Sequence, residues 1–173
     1  LDYALWYYEH AKIDVFFLID VQLTREEAYF RKSAIHERLG NDTLVISKIT
    51  ADRHLVGRQL AILRPTVSRL VTGVTCDPAN LGTSLTIVLK QRSKELAITG
   101  IYWPSKPDQQ AGPAGLWSLV QQYQRAHGIQ GSVTLFMQQQ LQATINRHMQ
   151  DPNNTHVVGG DFNANWKDTP TAR

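Results

Sequence analysis

Residues 155–163 read Thr-His-Val-Val-Gly-Gly-Asp-Phe-Asn, a short apolar run followed by an acid and an amide that one residue separates. Such a run is typical of a strand, so Asp161 and Asn163 should lie where the strand ends. A carboxylate can orient a water molecule or bind a hard cation, and an asparagine amide can donate to a phosphate oxygen. The two glycines allow the backbone to turn sharply and approach a substrate closely. The stretch therefore indicates metal-dependent phosphodiester chemistry.

The composition is that of a globular protein. The chain has 173 residues, of which 42% are hydrophobic and 19% are charged. This is enough for a single domain over residues 1–173 with a sizeable core. No apolar run approaches the roughly 20 residues that a membrane helix needs, so we expect no membrane segment. The single cysteine, Cys76, excludes an internal disulfide and a cysteine-based zinc cluster, and it fits a reducing compartment.

The chain carries a small excess of positive charge. The net charge is +3, and the isoelectric point is near 9.1. This excess is compatible with a polyanionic partner, although a scattered solvated surface is the default arrangement of basic residues. The basic residues that could form a stripe along a DNA backbone are Lys48, Arg53, Arg58, Arg64 and Arg69.

Upstream of residues 155–163, helical spacing and strand-like runs alternate. The spacing of apolar residues predicts helices over residues 1–11, 28–39, 116–127 and 133–150. Runs rich in Val, Ile, Leu and Thr predict strands over residues 13–20, 44–49, 55–63, 67–74, 84–90, 96–102 and 155–160. Residues 104–115, which contain three prolines and two glycines, should form an irregular loop. We therefore expect one α/β domain with a largely antiparallel sheet.

Polar residues suited to phosphate chemistry follow three of the apolar runs. They are Asp20, Tyr102 and the pair Asp161 and Asn163. Strands that end on the same side of a sheet would bring these groups together. Each residue also has a simpler interpretation: Asp20 could cap the next helix, Tyr102 could lie at the edge of the core, and Gly-Asp-x-Asn occurs in plain turns.

Four segments, in this order, resemble segments of a known superfamily. Residues 14–23 resemble an Asp-Ile-Ile-Leu-Leu-Gln-Glu-Thr-x-Leu segment, and residues 57–63 lie where a glycine-containing G-V-A-I-L strand is expected. Residues 99–105 resemble a V-Y-x-P-S strand, and residues 158–165 resemble a G-G-D-F-N-A signature. The ordered set resembles the endonuclease/exonuclease/phosphatase superfamily and, more narrowly, the apurinic-type endonuclease domain of non-LTR retrotransposons.

The resemblance implies a fold and a function. The fold would be an α/β, two-layer β-sandwich flanked by helices, of the deoxyribonuclease type, incomplete at both termini. The function would be Mg²⁺-dependent hydrolysis of phosphodiesters in double-stranded DNA, with Mn²⁺ as a substitute, by an intracellular protein that is nuclear if it comes from a eukaryotic retroelement. Asp161 would orient the attacking water, Asn163 would contact the scissile phosphate, Tyr102 would support the phosphate, and Asp20 would bind the metal.

The sequence departs from the superfamily pattern near the expected metal ligand. Asp20 stands where the superfamily usually has a glutamate, and Ile19 replaces a glutamine. The resemblance also implies a first strand before Leu1 and a Ser-Asp-His segment after Arg173. We therefore expect weak cleavage with Mg²⁺ and better cleavage with Mn²⁺, whose geometric demands are less strict. The alternatives are a catalytically inactive remnant that acts as a binding or scaffold module, and a phospholipid or phosphoinositide phosphatase.

Overall fold

Two β-sheets form the centre of the described structure. The structure is a computed structural model, and it describes residues 1–21, 25–47, 59–104 and 115–163. The strands are β1 (Val15–Ile19), β2 (Leu44–Ser47), β3 (Gln59–Leu63), β4 (Val71–Cys76), β5 (Ser84–Gln91), β6 (Lys94–Tyr102) and β7 (Thr155–Asp161). In these residues, the first sheet has the order β1-β3-β2 and the second sheet has the order β4-β5-β6-β7.

All but one of the described strand pairs are antiparallel. In the first sheet, β1 and β2 both run antiparallel to β3. In the second sheet, β4, β5 and β6 form an antiparallel series, whereas β7 runs parallel to β6. Parallel neighbours need a long crossover, and the chain between β6 and β7 contains the two helices α4 (Leu116–Ala126) and α5 (Val133–His148).

Three apolar clusters stack the sheets and helices into four layers. β3 is buried on both faces, so Leu60 and Ile62 face one cluster while Ala61 and Leu63 face another. The first of these clusters joins β3 to the helices α1 (Asp2–His10) and α2 (Arg25–Leu39). The second lies between the two sheets, and a third joins the second sheet to α4 and α5. Helices therefore flank a two-layer sandwich, as predicted.

The prediction of a strand over residues 67–74 was wrong at its start. The structure has a short helix there, α3 (Pro65–Ser68), and β4 begins only at Val71. Pro65 favours the first turn of a helix because its φ is fixed and its missing N–H is not needed there. The amides of Val67 and Ser68 then donate to the Arg64 carbonyl at 3.0 and 2.8 Å. Residues 55–58 of another predicted strand, and 105–114 of the predicted loop, lie outside the described residues.

Arg64 does not contribute to a surface stripe of basic residues. Its guanidinium donates to the backbone carbonyls of Ile13, Tyr8 and Glu9 at 2.8, 3.3 and 3.3 Å, and it lies 5.2 Å from the centre of the Tyr8 ring. The Tyr8 and Glu9 carbonyls also accept the amides of Ile13 and Lys12 at 3.3 Å, so Arg64 adds a charged donor to the last turn of the helix. Arg64 therefore anchors the end of α1. Arg69 is exposed, and the other three residues of the predicted stripe lie outside the described residues.

In the described segments, no helix has both the length and the apolar character that crossing a bilayer requires.

Candidate active site

Tyr102 and Asp161 lie side by side where β6 and β7 end. They are the last pair in the parallel register of these strands. The amide of Trp103 donates to the Asp161 carbonyl at 2.9 Å, so the pairing continues one residue beyond β6. Asp161 is exposed and Tyr102 is half-buried. We call this end of the sandwich the motif end.

Gly160 allows β7 to come close to β6 immediately before Asp161. Its φ is +141°, which side-chain-bearing residues rarely adopt. A Cβ atom there would overlap the carbonyl oxygen of Ile101 and lie 2.7 Å from the Ile101 nitrogen. The neighbouring Gly159 differs, because a Cβ atom there would meet nothing within 4 Å. Gly160 is therefore the glycine that the geometry requires.

Asn163 and Asp161 hold the turn that follows β7. The backbone N–H of Asn163 donates to Asp161 Oδ1 at 2.9 Å, and the side-chain Nδ2 of Asn163 donates to the Trp103 carbonyl at 2.7 Å. The Phe162 ring packs edge-on against Trp103, with 5.2 Å between ring centres. The plain-turn interpretation of these residues therefore describes part of what they do. A carboxylate has a second oxygen and an amide has a second N–H, and both can serve a ligand.

The chain leaves the first sheet at Asp20, at the motif end. It directly follows Ile19, which pairs with Gln59 in the register of β1 and β3. Gln59 Nε2 donates across to the Gly82 carbonyl at 3.1 Å, and the next carbonyl, that of Thr83, accepts the Tyr102 amide at 2.9 Å. The structure therefore brings Asp20, Tyr102, Asp161 and Asn163 to the same end of the sandwich. Asp20 is exposed and has a φ of +57°.

The oxygen atoms at the motif end are of the chemical type that hard cations bind. Asp20 and Asp161 supply carboxylate oxygens, the ligands that Mg²⁺ and Mn²⁺ prefer. In the described residues, no group of three or more His, Cys, Asp and Glu side chains could hold a metal ion. Mg²⁺ is usually bound by one or two carboxylates together with water and substrate phosphates. The residues present therefore fit an ion that the substrate helps to bind, and they do not form a closed protein cage.

Asp77 shapes the motif end, although it was not among the residues predicted to form the site. Its buried carboxylate accepts the amides of Leu81, Gly82 and Thr83 at 2.9, 2.9 and 3.0 Å. Burial raises the pKa of this carboxyl, and the backbone donors oppose that rise. The Asp-Pro pair was the available signal, because aspartate commonly binds backbone amides in turns.

His156 lies on β7 but contributes to packing, not to the motif end. Its Nε2 is 2.7 Å from the Thr99 hydroxyl, which is 2.7 Å from the Thr86 hydroxyl. Its ring packs edge-on against His148. Burial, followed by the neighbouring His148, lowers the pKa of His156. His156 therefore has a structural role on this strand.

Solved structures share this arrangement of layers and strands. The crystal structure of ANGEL2, a 2′,3′-cyclic phosphatase, matches 92% of this chain with a TM-score of 0.57 and 17% identity. The chain therefore has the same α/β fold as this structure, with two sheets flanked by helices. A truncated Caenorhabditis elegans TDP2 matches 96% of the chain with a TM-score of 0.51 and 12% identity.

These similarities establish the fold, and they cover only part of each solved structure. The chain spans 42% of the ANGEL2 chain and 55% of the truncated TDP2 chain. The sequence matches no protein-family model and no curated protein.

Proposed function

We propose that this protein is a divalent-metal-dependent phosphodiester hydrolase that acts on nucleic acid. The observation that carries the proposal is the pairing of Tyr102 with Asp161 at the end of β6 and β7, with Asn163 in the following turn. The chain leaves β1 at Asp20 at the same end, so each sheet contributes one acid to that end. The superfamily fold supports phosphoester hydrolysis as the reaction class.

Asp161 is the residue best placed to orient the attacking water. The backbone N–H of Asn163 binds one oxygen of the Asp161 carboxylate and so restricts its rotation. The carboxylate is exposed, and its second oxygen can accept a proton from water. A carboxylate held in this way needs little reorganisation when the reaction begins.

Asn163 and Tyr102 would act on the phosphate itself. One N–H of the Asn163 amide holds the Trp103 carbonyl, and the second can donate to a non-bridging phosphate oxygen. The Tyr102 hydroxyl can donate to the phosphate as negative charge develops on its oxygens. A divalent cation held at Asp20 would supply charge neutralisation at the phosphate and the leaving oxygen.

The finer proposal is a DNA endonuclease of the non-LTR retrotransposon type that cuts double-stranded DNA. It rests on the four ordered segments at residues 14–23, 57–63, 99–105 and 158–165. A second candidate substrate is a nucleoside 2′,3′-cyclic phosphate, because ANGEL2 is a 2′,3′-cyclic phosphatase that has been crystallised with adenosine-2′,3′-vanadate.

A nicking assay on supercoiled plasmid tests the proposal. We expect slow nicking with Mg²⁺ and faster nicking with Mn²⁺, because Asp20 is one methylene shorter than glutamate and Mg²⁺ is the stricter ion. Asp161→Ala should slow nicking roughly 100-fold or more, as loss of a positioned base does. Parallel reactions with single-stranded DNA and adenosine 2′,3′-cyclic phosphate identify the preferred substrate.

Asp42→Ala is the matched control for this assay. Asp42 is also an exposed acid, but it precedes β2, whose first residue Leu44 pairs with Leu63 at the other end of β3 from Gln59. The control should nick like the wild type. Nicking that survives Asp161→Ala would place the chemistry elsewhere. Binding of DNA without cleavage in either metal would favour the inactive binding module.

A further inference from the structure

A buried glutamine lies between the two sheets, beside apolar residues of the cluster that joins them. Gln59 is 3% exposed, and the neighbouring positions in this layer are occupied by residues such as Ala61, Leu63 and Ile87. Its Nε2 donates to the Gly82 carbonyl, but its Oε1 has no hydrogen-bond partner in the part of the chain that the structure describes. Burying an unpaired oxygen is costly, so packing alone does not account for this side chain.

A glycine in the second sheet makes room for the Gln59 side chain. A Cβ atom at Gly100 would lie 2.7 Å from Gln59 Oε1 and 2.6 Å from Cδ1 of Phe17. The amide therefore lies against bare backbone of β6, beside the Phe17 ring of β1. The side chains of the first sheet approach the second sheet closely at this point, which is two residues before Tyr102 on β6.

Gln59 connects the two halves of the candidate site through its backbone and its side chain. Its backbone pairs with Ile19, the residue before Asp20. Its side chain binds Gly82, in the turn that the Asp77 carboxylate holds. In the same turn, the Thr83 carbonyl accepts the amide of Tyr102, which pairs with Asp161.

We propose that Gln59 is a positioning residue that sets the separation between Asp20 and Asp161. Its amide fixes the end of β1 against the β4–β5 turn, and thereby holds the proposed metal ligand at the correct distance from the proposed water-orienting acid. This inference rests on the proposed function of the motif end. Gln59 itself touches neither metal nor substrate in this account.

Substitution by leucine separates positioning from packing. Gln59→Leu removes the unpaired oxygen but also the donor to the half-buried Gly82 carbonyl, and because these two effects oppose each other, urea unfolding should show little change in stability. The affinity for Mn²⁺, measured by electron paramagnetic resonance of the free ion, should nevertheless fall roughly 10- to 100-fold, the usual effect of removing a residue that orients a metal ligand. The nicking rate at subsaturating Mn²⁺ should fall with it. A merely structural residue would lose stability and affinity together.

Gln124→Leu is the matched control, because Gln124 is also a buried glutamine whose Nε2 donates to a glycine carbonyl, that of Gly131, at 3.4 Å. It lies in the helical layer beside the second sheet, so its substitution should leave the Mn²⁺ affinity unchanged. Gln59→Met, which keeps an unbranched side chain but lacks the donor, serves as a second variant if Gln59→Leu does not fold.

Each outcome of this experiment decides the inference. Wild-type Mn²⁺ affinity in a folded Gln59→Leu or Gln59→Met variant would refute positioning while leaving the proposed function intact. Equal losses in Gln59→Leu and Gln124→Leu would show a general effect of buried substitutions and would also refute it. Wild-type protein that neither binds Mn²⁺ nor cleaves would overturn the proposed function, and the inference with it.

Discussion

Substitution of Gly160 by alanine should destabilise the protein far more than the same substitution at Gly159. The φ of +141° at Gly160 is unfavourable for any residue with a Cβ atom, at a cost of about 1–3 kcal/mol. The overlap with the Ile101 backbone costs about 1–3 kcal/mol more, because a backbone neighbour cannot rotate away as a side chain can. We therefore expect Gly160→Ala to lower the free energy of unfolding by about 2–6 kcal/mol.

Gly159→Ala is the control, because it adds the same methyl group one residue earlier in the same strand. Its Cβ atom meets nothing within 4 Å. Replacing glycine by alanine at a compatible position reduces the entropy of the unfolded chain and stabilises by about 0.4–1 kcal/mol. Any loss in the Gly160→Ala variant can then be attributed to the position and not to the added methyl group.

Urea titration followed by tryptophan fluorescence and far-ultraviolet circular dichroism measures both free energies. The two probes should give coincident transitions, and the urea dependence should be similar in both variants, so that the midpoints can be compared. Nicking should be lost in Gly160→Ala, since relief of the overlap separates β7 from β6 just before Asp161. Equal unfolding free energies for the two variants, within about 0.5 kcal/mol, would refute the geometry described for β6 and β7.

Three further predictions concern stability. Gly100→Ala should lower the free energy of unfolding, measured by urea titration, by about 1–3 kcal/mol, because its Cβ atom would lie 2.6 Å from the Phe17 ring. Unchanged stability would contradict the close approach of the sheets. Arg64→Met should lower the free energy of unfolding by about 1.5–3 kcal/mol, because it removes a charged donor from three carbonyls near the end of α1. Wild-type stability in this variant would show that these hydrogen bonds contribute nothing. Burial and His148 lower the pKa of His156 below 6.5, so the unfolded chain binds a proton more readily than the folded chain. Stability should therefore fall as the pH decreases through 6.5 towards the folded-state pKa, and a His156→Gln variant should lose less stability over the same pH range.

Much of the fold follows from local patterns in the sequence. The five-residue run Val15–Ile19 and the runs that form β5 and β6 were recognisable because apolar, β-branched residues favour strands. The start of β4 was misplaced because residues 67–74 are apolar enough for a strand, whereas Pro65 favours a helical turn just before them.

The contacts that assemble the candidate site could not be read from the sequence, because they join residues far apart in the chain. Gln59 lies within the run over residues 55–63 that predicts an ordinary strand. Its burial depends on Gly100, which lies 41 positions later and faces it from the other sheet. Arg64 looks like a surface cation until the carbonyls at the end of α1 are placed beside it. Local sequence propensity predicts the helices and strands, whereas the pairing of strands that are distant in the chain decides which polar side chains are buried.

The central claim is that one metal-binding site is assembled at the motif end from both sheets. Paramagnetic broadening of amide resonances by Mn²⁺ tests this directly, since the ion broadens signals from nuclei close to it. We expect the first resonances to broaden to be those of Asp20 and Val21 from the first sheet, together with those of Tyr102, Asp161 and Asn163 from the second. Asp161→Ala should weaken this broadening, and Asp42→Ala should not. Broadening confined to one sheet, or centred elsewhere in the protein, would contradict the account.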